Sequence, residues 1–278
     1  MIILLKKIFI ILLFVIISFS IYTVFVNVYS DYQYEQDVSV LQREYSLSDS
    51  FSIKNPNSIS IPAPMRRYIQ SSIPNNRNLS THVKINYSGK YRQQKYGEMH
   101  DFKMNSAYNL RTGEFVSEWI IEENKVVFNK LRELLLGEES VYEFKKMGVK
   151  DQKSVYGSQA ESFLKSRMII DAVYFPYYYL GSSNINLAVM SGNRTLVKFN
   201  SGSNNIDFIF EFNEDKTLNS ISSSQFLFGE DRVSLKAIYE NYIDINNFKV
   251  PASIIVEIES NFDKYILYEA KIDNINYK

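Results

Sequence analysis

From Ile8 to Ser30 the chain carries no charged residue. A helix needs about 20 apolar residues to cross a bilayer, and a run that is apolar all round has no face to show to water. Residues 1–30 therefore read as an N-terminal transmembrane anchor. Lys6 and Lys7 precede the run, and Asp31, Glu35 and Asp37 follow it. The positive-inside rule then places the N-terminus in the cytoplasm and the rest in periplasm or extracellular space. A cleaved signal peptide is the rival reading, because Ser18-Phe19-Ser20 offers small residues at cleavage spacing. Against it, the apolar run continues from Ile21 to Val28 and would leave a greasy mature end.

Residues 31–60 read as a stalk or linker. Val38, Leu41 and Tyr45 recur at helical spacing and could prolong the helix. "SFSIKNPNSIS" then reads as extended chain. A short helix follows, fenced by Pro62 and Pro64 at its start and Pro74 at its end. Proline costs nothing where no intrahelical N–H bond is made. Met65, Tyr68, Ile69 and Ile73 form one apolar stripe. A helix this short needs a larger body to dock on. Two readings of its arginines stay open. They seat the helix or lie in water, or they meet an anionic head group. In the docking reading Tyr68 is buried, Arg67 lies beside a carboxylate or carbonyl of the domain, and Arg66 is in solvent.

After residue 80 the apolar period changes to two. Val83, Ile85 and Tyr87 share one face of a strand; so do Phe102, Met104, Tyr108 and Leu110, and so do Phe115, Trp119 and Ile121. Ile206, Phe208, Phe210 and Phe212 open a hairpin that turns at Asn213–Lys216. A second hairpin turns at Asn246-Asn247, residue types that tolerate positive φ. "KYILYEAKIDNINY" supplies a last strand. Consecutive hairpins imply an antiparallel meander. "SQAESFLKSRMIIDAVYFPYYYLG" is a helix, with Ser158 and Glu161 as a capping box and Pro176 as its breaker. The tyrosines after it either pack the rim of the sheet or line the mouth of an apolar cavity.

The chemistry of the chain is restricted. Lys+Arg and Asp+Glu are both 31, so no net charge favours nucleic acid. There are no cysteines, which excludes disulfides, thiolate metal sites and a lipid-modified N-terminal cysteine. There are two histidines, too few for a histidine metal cluster; His100 shares the parity of Phe102 and Met104 and reads as semi-buried. No glycine-rich phosphate loop, nucleophile elbow or HExxH occurs. Glu122-Glu123 and Glu138-Glu139 are adjacent, and neighbours on a strand face opposite ways. No catalytic residue, metal or cofactor is expected.

"IPAPMRRYIQSSIP" resembles the opening signature of an uncharacterised bacterial membrane-anchored family: proline-x-proline-hydrophobic-x-Arg-Tyr. Here the positions are Pro62, Pro64, Met65, Arg67 and Tyr68. The likeness continues at Trp119, at "EFNEDKTLNSI" with Lys216 for the usual glycine, and at "YENYIDINNFKVPASIIVEI", with Asn247 for a glycine and Pro251 in place. It implies a fold similar to LolA-like periplasmic lipoprotein carriers. The fold class expected is α+β and β-rich: a curved antiparallel half-barrel packed by a few helices, occupying residues 61–278. "VVFNKLRELLLGEES" fits a helix by the spacing of Phe128, Leu131 and Leu135, whereas the resemblance implies a strand. The resemblance and the aromatic faces together nominate Trp119, Tyr174, Phe175, Tyr178, Phe208 and Phe210 as ligand contacts. The ligand implied is a lipid or a lipoprotein acyl chain; the alternative is an envelope interaction domain with a filled core. No core strand precedes Pro62, so a chain beginning near Ser60 is expected to fold.

Overall fold

Side-chain period decides the secondary structure. The computed structural model describes residues 2–43, 60–73, 79–92, 95–123, 128–151, 154–201, 204–228, 231–260 and 263–277. Two helices come first, α1 (Ile2–Arg43) and α2 (Ala63–Ser72). Then come β1 (His82–Tyr91), β2 (His100–Asn109), β3 (Glu114–Glu122), β4 (Phe128–Leu136), β5 (Glu139–Lys146), β6 (Val149–Lys150) and β7 (Val155–Tyr156). Helix α3 (Ser158–Asp171) runs into one 3-10 turn, Ala172–Tyr174, and a short helix α4 (Tyr178–Gly181). The remaining strands are β8 (Ile185–Val189), β9 (Arg194–Ser201), β10 (Asn204–Phe212), β11 (Leu218–Phe228), β12 (Asp231–Ile245), β13 (Phe248–Ser260) and β14 (Asp263–Tyr277). Within Val126–Leu136 the described residues, Phe128–Leu136, are a strand. Pro74 and most of the 44–60 linker lie outside the described residues.

The strands form one open, curved antiparallel sheet in the order β6-β5-β4-β3-β2-β1-β14-β13-β12-β11-β10-β9-β8, with β7 beside β5. It is two meanders joined where β1 pairs with β14, from Val83↔Tyr277 to Tyr91↔Tyr268. That seam is tight: a Cβ on Gly89 would meet the Glu269 carbonyl oxygen at 2.0 Å. Two hairpins use turns with both central residues at positive φ, Met147-Gly148 (49° and 80°) and Asn246-Asn247 (52° and 66°), which suits the twist of the flanking strands. Lys216 also has φ 73°. Lys216 and Asn247 thus keep the backbone that glycine would adopt more cheaply.

The concave face carries the aromatic residues and receives α2, α3 and α4, all joined in one buried cluster. Pro62 is the N-cap of α2 and Pro64 lies in its first turn; the helix buries Met65, Tyr68 and Ile69. Helix α3 departs from expectation at its start. Gly157 is the N-cap and no side chain caps it; Glu161 pairs instead with Lys165 one turn on.

The outer face is also occupied. Val38 and Leu41, near the end of α1, are buried against Ala107, Val116 and Leu134. Asp37 Oδ2 accepts from Arg132 Nε at 2.8 Å, and Lys130 Nζ lies 2.9 Å from Asp31 Oδ1 and 3.1 Å from Glu118 Oε1. The part of the stalk as far as Arg43 is thus helix laid on strands β2–β4. A chain beginning near Ser60 would uncover this patch. We expect it to fold but to be less stable, by about 3 kcal/mol for two buried aliphatic side chains, than a chain beginning near Ser30. Thermal unfolding by circular dichroism compares the two; equal melting temperatures would show that α1 adds nothing to the domain.

Candidate functional site

Helix α3 ends in the middle of the core. Every residue from Ser166 to Leu180 is buried. The last carbonyls of a helix have no intrahelical donor, and leaving them unpaired away from water costs about 1–3 kcal/mol each. Proline at 176 supplies no N–H. Tyrosine hydroxyls supply the donors. Tyr179 donates to the Ile169 carbonyl at 2.9 Å, Tyr239 to Ile170 at 2.9 Å, Tyr68 to Val173 at 3.2 Å and Tyr277 to Tyr174 at 2.7 Å. These four come from α4, β12, α2 and β14.

The same helix brings charge inside. Arg167 Nε donates to Asp171 Oδ2 at 2.7 Å, and Arg167 Nη1 lies 3.6 Å from Glu133 Oε2 on β4. Tyr108 donates to the same Asp171 oxygen at 2.7 Å, and Trp119 Nε1 donates to Glu133 Oε2 at 2.8 Å. The guanidinium stands over the Trp119 ring at 5.1 Å and the Tyr268 ring at 5.5 Å, close enough for cation–π attraction. Two carboxyl groups thus share one guanidinium. Burial pushes both carboxyls up from their ordinary range, and Arg167 opposes this without cancelling it. The hydroxyls of Tyr87, Tyr174 and Tyr268 have no partner among the described residues. They surround a buried polar centre in an otherwise apolar interior. Among the described residues, no group of acidic or histidine side chains could hold a metal ion.

Beside this cluster lies a cavity of about 20 Å³, bounded by Tyr91, Trp119, Tyr142, Phe163, Arg167 and Leu267, among others. Of the six nominated contacts, Trp119 borders the cavity. Tyr174 packs edge-on against Tyr87, and Phe175 lies against Tyr108 at 5.0 Å. Tyr178 sits over Gly113, where a Cβ would meet its hydroxyl at 2.6 Å. Phe208 is fully buried on β10, and Phe210 packs edge-on against Tyr179. The six belong to one buried core, and Trp119 is the one of them that borders this cavity. The tyrosines after α3 are in the core itself, neither at a rim nor at a mouth. Pro251 is buried on β13 opposite Tyr242, and His100 is half-buried.

The sequence reading missed Arg167, Asp171 and Glu133. Signals existed. Phe163, Arg167 and Asp171 follow i, i+4, i+8 on α3, and Glu133 shares its strand face with Leu131 and Leu135. In α2, Tyr68 is buried as expected. Arg67 is exposed, and its guanidinium donates to the side-chain oxygen of Asn193 at 3.3 Å. Arg66, expected in solvent, is half-buried.

The seat of α2 is therefore the tyrosine. Tyr68→Phe should cost about 1–3 kcal/mol, because it strands the Val173 carbonyl; Arg67→Ala should cost less than about 0.5 kcal/mol. Chemical denaturation checks both, and the reverse ranking would return the docking role to Arg67. Removing Asp171 by Asp171→Ala should cost about 3–5 kcal/mol, since Arg167 loses its close partner. Glu133→Gln should be tolerated. The folded pKa of Glu133 lies above its unfolded value, so its ionisation destabilises the fold as pH rises through that interval. The melting temperature of Glu133→Gln minus that of the wild type should be larger at about pH 8 than at about pH 5. A difference independent of pH would show that Glu133 keeps an ordinary pKa.

Similar solved structures include a DUF1329 family protein from Desulfovibrio piger, 9% identical with a TM-score of 0.45, covering 80% of this chain and 94% of its own. A LolA superfamily protein from Nitrosomonas europaea is 9% identical with a TM-score of 0.43 over the same shares, 80% and 94%. A domain from Vibrio parahaemolyticus, described as a candidate outer membrane lipoprotein-sorting protein, is 7% identical with a TM-score of 0.35, covering 71% and 85%. No curated protein matches the sequence. A family model described as a family of unknown function, DUF6544, matches residues 51–266, and the chain belongs to that family.

Proposed function

We propose that the chain is a non-enzymatic binding domain of the cell envelope, held at the membrane by α1 with its N-terminus in the cytoplasm. It takes an apolar chain, a lipid or a lipoprotein acyl chain, between α3 and the concave sheet, and the structure described here is its closed form. The observation that carries this reading is the cavity beside Arg167. Its walls are apolar and aromatic, and a charged cluster marks its floor, the composition of a site for a ligand with one polar end. Its outer wall includes Tyr142 and Phe163, which are half-buried. Entry requires displacement of α3 along the face that carries Phe163, Arg167 and Ile170, the last of which is held by Tyr239.

A second reading is an interaction domain with a filled core and no ligand. The size of the cavity favours it: about 20 Å³ admits a single water molecule and no acyl chain without rearrangement. Native mass spectrometry of the detergent-extracted full chain separates the two. The carrier reading expects a lipid-sized adduct that leaves on collisional activation. It also expects Leu267→Ala, which enlarges the cavity, to raise the bound fraction. The bare chain mass in both proteins would leave the filled-core reading as the function.

A further inference from the structure

The turn between β5 and β6 touches α1 inside its apolar run. Tyr22 donates its hydroxyl hydrogen to the Met147 carbonyl at 3.1 Å. A Cβ on Gly148 would lie 2.6 Å from Val26 Cγ1, so the turn backbone rests on that valine. The first charged residue after the run is Asp31. At 1.5 Å per residue, Tyr22 lies roughly 12 Å back along the helix from Ser30. At the same level α1 still exposes Val24, Phe25 and Val28, each more than 60% accessible. Water cannot be the solvent of that stretch at low cost, and a bilayer can.

The hairpin and β7 beside it have matching chemistry. Met147 holds φ 49° in a turn where asparagine or glycine would be cheaper. Val149 is 65% exposed and Tyr156 is 40% exposed. Lys150 Nζ sits 4.0 Å over the Tyr156 ring. Aliphatic tip, tyrosine and lysine in that order are the side chains that favour acyl boundary, interface and head groups. Each leaflet's polar layer is about 5–7 Å deep, less than the depth to which the turn follows α1.

We propose that the β5–β6 hairpin is a second membrane contact, with Met147 and Val149 at the acyl boundary and Tyr156 and Lys150 among the head groups of the leaflet from which α1 emerges. This rests on the reading of α1 as an anchor and deepens it: the domain lies against the bilayer on one edge of its sheet, away from β8.

The chain has no cysteine, so single-cysteine variants label cleanly. Phe14→Cys, Val149→Cys and Val189→Cys are each coupled to a polarity-sensitive fluorophore in the full chain, reconstituted in phosphatidylcholine–phosphatidylglycerol vesicles carrying nitroxide lipids. Val189, 81% exposed on β8, reports the opposite edge. The proposal expects quenching at positions 14 and 149 and, at 149, at least about threefold more than at 189. Quenching at 14 with none at 149 would overturn the hairpin contact and leave the anchor standing. A blue shift at 149 without quenching would mean that protein covers the turn, and would overturn it too. No quenching at 14 would remove the anchor and the proposal together.

Discussion

A helix that ends inside a hydrophobic core must find donors for its last carbonyls. In this domain tyrosines provide them, and much of the architecture follows from where those tyrosines stand. Tyr68, Tyr179, Tyr239 and Tyr277 reach the end of α3 from two helices and two distant strands. Each brings an aromatic body to fill space and one hydroxyl to satisfy the backbone. Phenylalanine would fill the same volume and leave the carbonyl bare. Four of the 21 tyrosines thus have a physical reason in the buried end of one helix, and Tyr68 of α2 is one of the four.

Strands β3 and β4 are covered on both faces, and each face has its own charges. Glu118 and Lys130 point outward to α1, whereas Trp119 and Glu133 point inward to α3. A strand buried on both sides loses the alternation that a half-buried strand shows. That is why β3 is buried almost without interruption from Phe115 to Trp119, and why "NKLRELLL" could be mistaken for a helix. The inner pair gains little stability, because removing charges from water costs about as much as their attraction returns.

What the sequence made legible was local. Period-two patterns located β1–β3 and β10 with their inner faces, and turn residues located the hairpins β10–β11 and β12–β13. Asn246-Asn247 marked a two-residue turn correctly, and the resemblance chose a strand for Val126–Leu136. What it hid was non-local. Nothing in "THVKINYSGK" announces that its partner is the final strand. The short strands β6, β7 and β8 carry too few residues for a period. Ser158 and Glu161 had the composition of a capping box, but the chain enters α3 through Gly157 at φ 64°, which leaves the serine inside the helix. The place of the nominated aromatic residues was hidden for the same reason: whether such residues line a space or pack a core depends on what faces them.

The pairing of β1 with β14 couples the first strand of the sheet to the last. Neither meander can complete its central edge until β14 (Asp263–Tyr277) has been made, because β14 is the partner of β1. Until then β1 presents an unpaired edge, the kind that recruits strands from other molecules. Closing a loop of almost the whole domain is entropically costly and slow. The time between the first strand and the last is therefore the interval in which this protein is most open to aggregation, and the one in which a chaperone would have most to protect.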